Sequence, residues 1–482
     1  MLSDEKIYLN GIDARTGQYL VDPMTYDFAA ELVKSEPTDK AKESLMRQLW
    51  RTTSEPHLGL PFPRNPEFVE QAGWGIVFHK DEDAAVKAAL EPLIEHRRKQ
   101  IKDSSIVKIL EYKDESVNDW LAGYGVGRGS IYPDRVPYYL LIIGSPQKIP
   151  FLFGHELDVE YAVGRLHFDA TADYSAYIRS VIDYETSPEV PNSKDVVFFG
   201  PRHAFDPATQ MSADLLVNPL ADGTAGGGGL ATPTQGVAQR WGYRARKLWG
   251  DDAKKGALAE VFNPVAQVKS PALLFTATHG MGFPLGDPNQ EAQQGALLCQ
   301  DWPGFGNLTA DHYFSASDLS SDAHVHGLIA FNFACFGAGT PRFDRFTKSP
   351  GNPPEIAKES FLAALPKKLL THPNGGALAC IGHVERAWGY SIVTPNAGAQ
   401  ILPFDNGIAR ILVGQPIGHA MKDFNERYAA LSTSLASLLE QVKYKEPVSN
   451  YELASAWIGR NDAEGYVVIG DPAVKLRVTD LK

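Results

Sequence analysis

Short apolar runs alternate with longer, more polar stretches from residue 73 almost to the end of the chain. The runs at 138–144 (YYLLIIG), 195–200 (DVVFFG) and 271–280 (PALLFTATHG) are typical of strands that are buried on both faces. Between such runs, 81–100 and 169–185 are predicted helices, and 81–100 begins acidic and ends basic, which suits the helix dipole. The alternation predicts an α/β protein whose mainly parallel sheet carries helices on both faces.

The same alternation predicts the remaining elements and the organisation of the chain. Further strands are predicted at 105–112, 161–166, 326–335, 375–382 and 466–478, further helices at 114–125 and 359–370, and a helix followed by a strand at 237–250. Residues 1–72 are mixed and rich in turns. The sequence therefore predicts an irregular or helical N-terminal extension at 1–72, a first α/β subdomain at 73–194 and a second subdomain at 195–482.

Charge and cysteine content exclude several classes of protein. The 482 residues include 46 Lys and Arg against 58 Asp and Glu, and a net charge of −12 disfavours general nucleic-acid binding. The cysteines Cys299, Cys335 and Cys380 are far apart and form no CxxC pair, which excludes zinc ribbons and disulfide scaffolds. No apolar run is as long as a membrane span, and the first residues lack a signal-peptide pattern. We therefore expect a cytoplasmic protein with neither a membrane nor a nucleic acid as partner.

Two predicted strands end in residues with reactive side chains. The strand at 271–280 ends in His279 and Gly280, and the strand at 326–335 ends in Cys335. If these strands are neighbours, their carboxyl ends share one sheet edge and bring a thiol to an imidazole as nucleophile and base. The glycine leaves a backbone N–H unobstructed, and such a group stabilises an oxyanion. For either side chain alone, the alternative is a structural role in the core.

Six segments resemble, in order, the sequence boxes of one peptidase clan. TATHGMG and FNFACFGAG resemble the His-Gly and Ala-Cys boxes of clan CD cysteine peptidases, which include caspases, legumains, separases, gingipains and CHAT proteins. YYLLIIGSPQKIP, YAVGRLHFDATADYSAYIRSVIDYE, GGALACIGHVERAWGYS and YVVIGDPAVKLRV resemble further boxes of the gingipain-like branch. The chain is therefore similar to gingipain-like cysteine peptidases over about residues 73–478.

The resemblance implies a fold and a catalytic pair. The fold would be a caspase-like three-layer α/β/α sandwich, with 73–194 as its non-catalytic half and 195–482 as its catalytic subdomain. His279 would serve as general base and acid and Cys335 as nucleophile, and the N–H groups of Gly280 and Cys335 would hold the oxyanion. The reaction would be endopeptidase hydrolysis through a thioester, with a protein or peptide as substrate.

The resemblance also implies a specificity pocket. Asp214 would pair with a basic P1 side chain, Arg or Lys, and Trp388 would wall the same S1 pocket. The alternatives are a helix-start acid favoured by the dipole for Asp214 and a plain core aromatic for Trp388. The third catalytic residue is left open, because the loop where relatives carry an acid holds both His203 and Asp206.

Regulation is expected for an endopeptidase inside a cell. The segment 341–355 after the nucleophile is rich in proline and carries Arg342 and Arg345, which suit cleavage by the enzyme itself or by an upstream protease. The alternative is a solvated surface loop. An activating protease or an inhibitor is therefore an expected partner, and relatives inside bacteria act in defence or cell-suicide cascades, some linked to CRISPR.

No cofactor is predicted, although the resemblance leaves structural calcium open. His324 and His326 form an HxH pair on a predicted strand, but no obvious third ligand accompanies them, so no metal site is predicted. Two other functions are compatible with the sequence: a non-catalytic caspase-fold scaffold that uses the cleft to bind a partner, and a transpeptidase that uses the same thiol and imidazole. Product analysis with added amines would separate transfer from hydrolysis.

Overall fold

A ten-stranded sheet forms the centre of the molecule. The computed structural model describes residues 6–35, 59–224, 234–263, 269–306, 308–344, 353–394 and 398–482. The strands of the sheet are β1 (Trp74–His79), β2 (Val107–Tyr112), β3 (Tyr139–Ile143), β4 (Ala162–Leu166), β5 (Asn192–Gly200), β6 (Arg244–Trp249), β7 (Ser270–Ala277), β8 (Ile329–Phe333), β9 (Ala379–His383) and β10 (Tyr466–Gly470). Their order across the sheet is β6-β5-β7-β8-β9-β10-β4-β3-β1-β2.

The sheet consists of two parallel halves that meet at one antiparallel pair. Every neighbouring pair is parallel except β9 and β10, in which Ala379 lies opposite Gly470. The last strand therefore returns from the second half of the chain to pair with β4 of the first half. The sheet runs continuously across the predicted subdomain boundary at 194/195, and the subdomain limits themselves stay a prediction.

Burial follows position in the sheet. Strands β3, β4, β7, β8 and β9 are buried at every residue, whereas the edge strands β2 and β6 alternate between buried and exposed positions. Strands that are buried on both faces need cover on both sides, and helices supply it. The predicted α/β class, with its caspase-like α/β/α layers and mainly parallel sheet, is confirmed.

The helices lie before and between the strands. They are α1 (Tyr26–Ser35), α2 (Val69–Ala72), α3 (Ala84–Ile101), α4 (Val117–Gly123), α5 (Phe151–Asp158), α6 (Thr171–Thr186), α7 (Pro207–Ser212), α8 (Asn218–Asp222), α9 (Val237–Arg240), α10 (Lys255–Phe262), α11 (Gln290–Gln293), α12 (Ala364–Leu370), α13 (Leu402–Leu412), α14 (Ile417–Ala420), α15 (Lys422–Lys443) and α16 (Asn450–Gly465). A π-helical turn at Ala213–Val217 joins α7 to α8. No helix of the described residues is long and apolar enough to cross a membrane.

The sequence predictions differ from the structure in three places. The strand predicted at 326–335 begins only at Ile329, so the prediction that His324 and His326 share a strand is wrong. The helix predicted at 359–370 begins at Ala364, because Phe361–Leu362 pair with Gly339–Thr340. The four helices α13 to α16, which connect β9 to β10, were not predicted at all.

Residues 6–25 form an ordered segment that packs against both halves of the second subdomain. Lys6–Ile7 pair antiparallel with Met24–Thr25, and Ile12–Asp13 pair in parallel with Met281–Gly282. Apolar side chains of this segment share a buried cluster with Trp388 and with α16; the members include Ile7, Leu9, Met24, Leu453 and Trp457. We call residues 6–25 the N-terminal segment.

Candidate active site

His279 and Cys335 follow neighbouring strands, as the sequence predicted. Strands β7 and β8 are parallel with Ala277 opposite Phe333, so both chains leave the sheet at the same edge. The Thr278 N–H donates to the Phe333 carbonyl at 3.1 Å and keeps the two exits in register. Both reactive side chains are fully buried. The sheet therefore supplies the geometry that a nucleophile and its base require.

Asp206 holds the imidazole of His279 from the far side. The Nε2 atom lies 2.8 Å from Asp206 Oδ2, and the Nδ1 atom accepts the Gly11 N–H at 2.7 Å. A backbone N–H can only donate, so Nδ1 carries no proton and Nε2 is the protonated nitrogen that donates to the carboxylate. Burial acts to raise the pKa of Asp206, but the charge and hydrogen bond of His279 outweigh it and hold that pKa well below its usual range. The carboxylate thus fixes both the tautomer and the orientation of the ring.

The structure decides between the two residues that the sequence left open as partners of His279. Asp206 caps α7, accepting hydrogen bonds from the N–H groups of Ala208 and Thr209, and this cap aims its remaining lone pairs at His279. His203 contacts Trp302 with its ring instead, and burial lowers its pKa to about 4, so it stays neutral. Asp206 is therefore the third member of the constellation.

Cys335 is held as a thiol rather than a thiolate. Burial raises its pKa to about 12, against a smaller opposing effect of the Ala387 N–H, which donates to Sγ at 3.3 Å. The thiol itself donates to the carbonyl oxygen of Asn10 at 2.7 Å. A buried thiol of this kind is unreactive until its proton is accepted by a base.

The N-terminal segment passes between these two side chains. The Asn10 carbonyl accepts the Cys335 thiol, and the next N–H, that of Gly11, donates to Nδ1 of His279. One peptide group thus contacts both candidate catalytic atoms. The sequence gave no signal for this contact, because Asn10 and Gly11 are 325 and 268 positions from their partners.

Further hydrogen bonds fix the N-terminal segment in the cleft. The Ile12 N–H donates to the Gly280 carbonyl at 3.3 Å and the Ala14 N–H to the Gly282 carbonyl at 2.7 Å. The hydroxyl of Tyr19 donates to Asp206, and its ring lies edge-on to the ring of His279 at 5.8 Å. The segment therefore contacts all three members of the constellation.

Gly280 packs directly on the backbone of the candidate nucleophile. A Cβ at this position would lie 1.8 Å from the Cys335 carbonyl oxygen and 2.8 Å from the Cys335 nitrogen. Such distances are far inside van der Waals contact, so any larger residue would push the two strand ends apart. This explains why glycine follows the histidine, and it places the Gly280 backbone beside Cys335, where the oxyanion role was predicted.

We expect Gly280→Ala to lower the free energy of unfolding by about 1–3 kcal/mol or more, because overpacking forces the backbone to shift. Denaturant unfolding measures the change. The control is Gly256→Ala in α10, where a Cβ meets no atom within 4 Å and the substitution should stabilise by about 0.4–1 kcal/mol. Equal stability of the two variants would contradict the close packing at Gly280.

The two predicted S1 residues lie in different surroundings. Asp214, in the π-helical turn, receives both of its carboxylate contacts from Arg202 Nε, at 2.9 and 3.0 Å, and its side chain is 38% exposed. Trp388 is fully buried, stacks edge-on against Trp457 at 5.5 Å and donates its backbone N–H to Asp462. The S1 roles of Asp214 and Trp388 stay predictions.

The other predicted features lie outside the site. Arg342 pairs with Glu355 on the surface, and Arg345 lies outside the described residues. His326 contacts the Ser180 carbonyl at 2.9 Å. Across the described ranges, no group of three or more His, Cys, Asp or Glu side chains is arranged to hold a metal ion.

Comparisons with known proteins agree on a peptidase. The model of peptidase family C25 matches residues 76–477 of the chain. A solved structure titled "Structure of Protease" is 13% identical, with a TM-score of 0.46 over 84% of this chain and 78% of that one. The separase of the Saccharomyces cerevisiae separase–securin complex is 9% identical, with a TM-score of 0.30 over 92% of this chain and 23% of that one. No curated protein matches the chain significantly.

Proposed function

The chain belongs to peptidase family C25 and is a cysteine peptidase, and we propose that Cys335, His279 and Asp206 carry its chemistry while the N-terminal segment keeps it latent. The observation that carries the proposal is the position of a single peptide group. Its carbonyl oxygen contacts the Cys335 sulfur at 2.7 Å and its nitrogen contacts His279 Nδ1 at 2.7 Å. A nucleophile on the acyl side and a base on the amine side are the two groups that peptide hydrolysis requires.

The first half of the reaction forms a thioester. The thiol proton of Cys335 passes to Nδ1 of His279, and the sulfur attacks the carbonyl carbon of the substrate peptide. The imidazolium then donates this proton to the leaving nitrogen, so the C–N bond breaks and an amine departs. Asp206 stabilises the imidazolium that exists between these two transfers, because its carboxylate already accepts the Nε2 proton.

The second half returns the enzyme to its starting state. His279 Nδ1 accepts a proton from water, the hydroxide attacks the thioester carbonyl, and the sulfur leaves and recovers the proton. The backbone N–H groups of Gly280 and Cys335 are proposed to hold the oxyanion in both halves. Every group in this cycle belongs to the chain itself.

Latency follows from competition for the same atoms. The N-terminal segment uses the proton of Cys335 and the lone pair of His279 Nδ1, and the hydroxyl of Tyr19 binds Asp206. A substrate cannot reach these atoms until the segment leaves. Burial of apolar side chains such as Leu9 against Trp388 holds the segment in place.

We expect Leu9→Asp to raise the hydrolysis of a peptide library at least about tenfold, because a buried, unpaired carboxylate drives the segment out of its cluster. Library cleavage read by mass spectrometry measures the change and also tests the proposed peptidase function. The control is Leu402→Asp, which places the same charge at a 64% exposed leucine and should leave the rate at the wild-type level. Tyr19→Phe, which removes one hydroxyl, should act in the same direction as Leu9→Asp. Equal rates in all four proteins would contradict latency.

Other parts of the functional hypothesis stay predictions. A preference for Arg or Lys at P1 requires the Asp214 carboxylate, which Arg202 now pairs, so a basic substrate side chain would have to displace an ion pair. An upstream protease or inhibitor, a cytoplasmic location and a place at the effector end of a bacterial defence cascade rest on resemblance alone. The scaffold alternative predicts no hydrolysis by any variant, and the transpeptidase alternative predicts transfer to added amines.

A further inference from the structure

We propose that the enzyme cleaves after asparagine, with its own peptide bond between Asn10 and Gly11 as its first substrate. The inference rests on the proposed peptidase function and extends it to the substrate. It draws on three independent observations: the register of the segment, the pocket that holds the Asn10 side chain, and the backbone of Gly11.

The segment lies in the register of a substrate. In a peptide to be cut, the carbonyl of P1 faces the nucleophile and the nitrogen of P1′ faces the acid that protonates it. Asn10 contributes the carbonyl that contacts Cys335, and Gly11 contributes the nitrogen that contacts His279. A segment bound in reverse, or one residue out of register, would bring a different pair of atoms to these two side chains.

The Asn10 side chain occupies a closed pocket beside the nucleophile. The residue is only 1% exposed. A Cβ built on Gly389 would lie 3.5 Å from Asn10 Oδ1 and 3.6 Å from the sulfur of Met211, so the amide lies where Gly389 and Met211 approach each other. Gly389 directly follows Trp388, the residue that the sequence predicted as an S1 wall. The pocket therefore selects a short, uncharged side chain by its length.

The amide of Asn10 also favours release after cleavage. Its Nδ2 atom is buried and has no hydrogen-bond partner among the described residues. A buried donor without an acceptor is unfavourable, and water satisfies it once the segment leaves. Cutting the chain removes the covalent link that holds this side chain in place, so the released peptide is free to dissociate.

Gly11 meets the requirement of the position after the cut. Its φ of +112° is a conformation that favours glycine. A Cβ here would lie 2.7 Å from the Leu20 side chain and 3.1 Å from the Cys335 sulfur. Glycine is therefore the residue that lets the backbone pass this close to the nucleophile.

The proposed step follows the mechanism above with the chain as its own substrate. A bond forms between Cys335 Sγ and the Asn10 carbonyl carbon, and the bond from that carbon to the Gly11 nitrogen breaks. The thiol proton reaches the new amine of Gly11 through His279 Nδ1. Water then hydrolyses the thioester, giving a peptide of residues 1–10 with a free carboxylate and a chain that begins at Gly11.

The test follows the intact mass of the full-length protein over days of incubation. We expect a single cut between Asn10 and Gly11 whose first-order rate does not depend on protein concentration. Cys335→Ala should remain whole, which also separates enzymatic cleavage from spontaneous chemistry at an Asn-Gly sequence, because the latter needs no thiol. Asn10→Gln should be cut at least about tenfold more slowly, since one added methylene must fit the same pocket.

A fluorogenic panel with Asn, Gln, Leu, Arg and Lys at P1 completes the test, using the Leu9→Asp protein. A cut at Gly11 together with preferred turnover of the Asn substrate supports the inference. Turnover of Arg or Lys substrates that depends on Cys335, with the bond at Asn10 intact, overturns it and leaves the peptidase function standing. Absence of all cleavage in a folded Leu9→Asp protein overturns both.

Discussion

Replacing Cys335 by alanine is expected to reduce peptide hydrolysis by at least about 10⁴-fold, the scale seen when a covalent nucleophile is removed. The sulfur forms the bond to the substrate, and no neighbouring group in the described site takes its place. The protein should still fold, because alanine keeps the backbone contact with Gly280 and loses only the thiol hydrogen bond to Asn10. Rates are measured with the peptide library in the Leu9→Asp background.

The matched control is Cys380→Ala. Cys380 is also fully buried, in the neighbouring strand β9, but it follows no catalytic edge. Removing its sulfur leaves a small cavity that costs stability and does not touch the reaction. Full activity in Cys335→Ala would contradict the proposed nucleophile, and equal loss in both variants would indicate a folding defect instead.

Replacing Asp206 by asparagine is expected to reduce kcat/KM by about 10²–10⁴-fold. The amide no longer stabilises the imidazolium, and its NH₂ group can present a donor to Nε2, which favours the wrong tautomer of His279. The loss should be the same for every substrate in the library, because Asp206 acts on His279 and not on a substrate side chain.

Asp214→Asn is the comparison that separates chemistry from specificity. If Asp214 recognised a basic P1 residue, only Arg and Lys substrates would lose turnover. If Arg202 is its sole charged partner in function as in the structure, all substrates keep their rates. A uniform loss in Asp214→Asn as large as that in Asp206→Asn would contradict the assignment of the third residue.

The sequence was sufficient for the parts of the site that lie on regular elements. His279 and Cys335 each follow a continuous apolar run, and such runs form the inner strands of a parallel sheet. Their joint position at strand ends predicted the shared edge that β7 and β8 provide. The prediction succeeded because hydrophobic periodicity determines strand position and parallel pairing determines where the ends meet.

The sequence was not sufficient where contacts cross long distances along the chain. His203 and Asp206 lie in one short loop, and only the N-terminal cap of α7 directs the carboxylate of Asp206 to His279. The N-terminal segment carries no periodic signal, since its residues pair with loops and with a second core instead of forming a regular strand. Irregular backbone of this kind is specified by tertiary contacts, which a pattern of apolar positions does not encode.

The antiparallel return of β10 is a third case. The apolar run that begins at 466 predicted a strand, but not that it pairs with β4 and reverses direction beside β9. Four helices between β9 and β10 make this reversal possible, and α16 also packs against the N-terminal segment. The element that closes the sheet is therefore connected to the element that occupies the cleft.

Covalent labelling of the nucleophile tests the central claim most directly. Wild type and Leu9→Asp are treated with peptidyl acyloxymethyl ketones that carry Asn or Lys at P1, and the adduct is located by peptide mapping. We predict one adduct per chain, on Cys335 and not on Cys299 or Cys380, which forms faster in Leu9→Asp and not at all after His279→Ala. A folded Leu9→Asp protein that is never labelled at Cys335 would contradict the account.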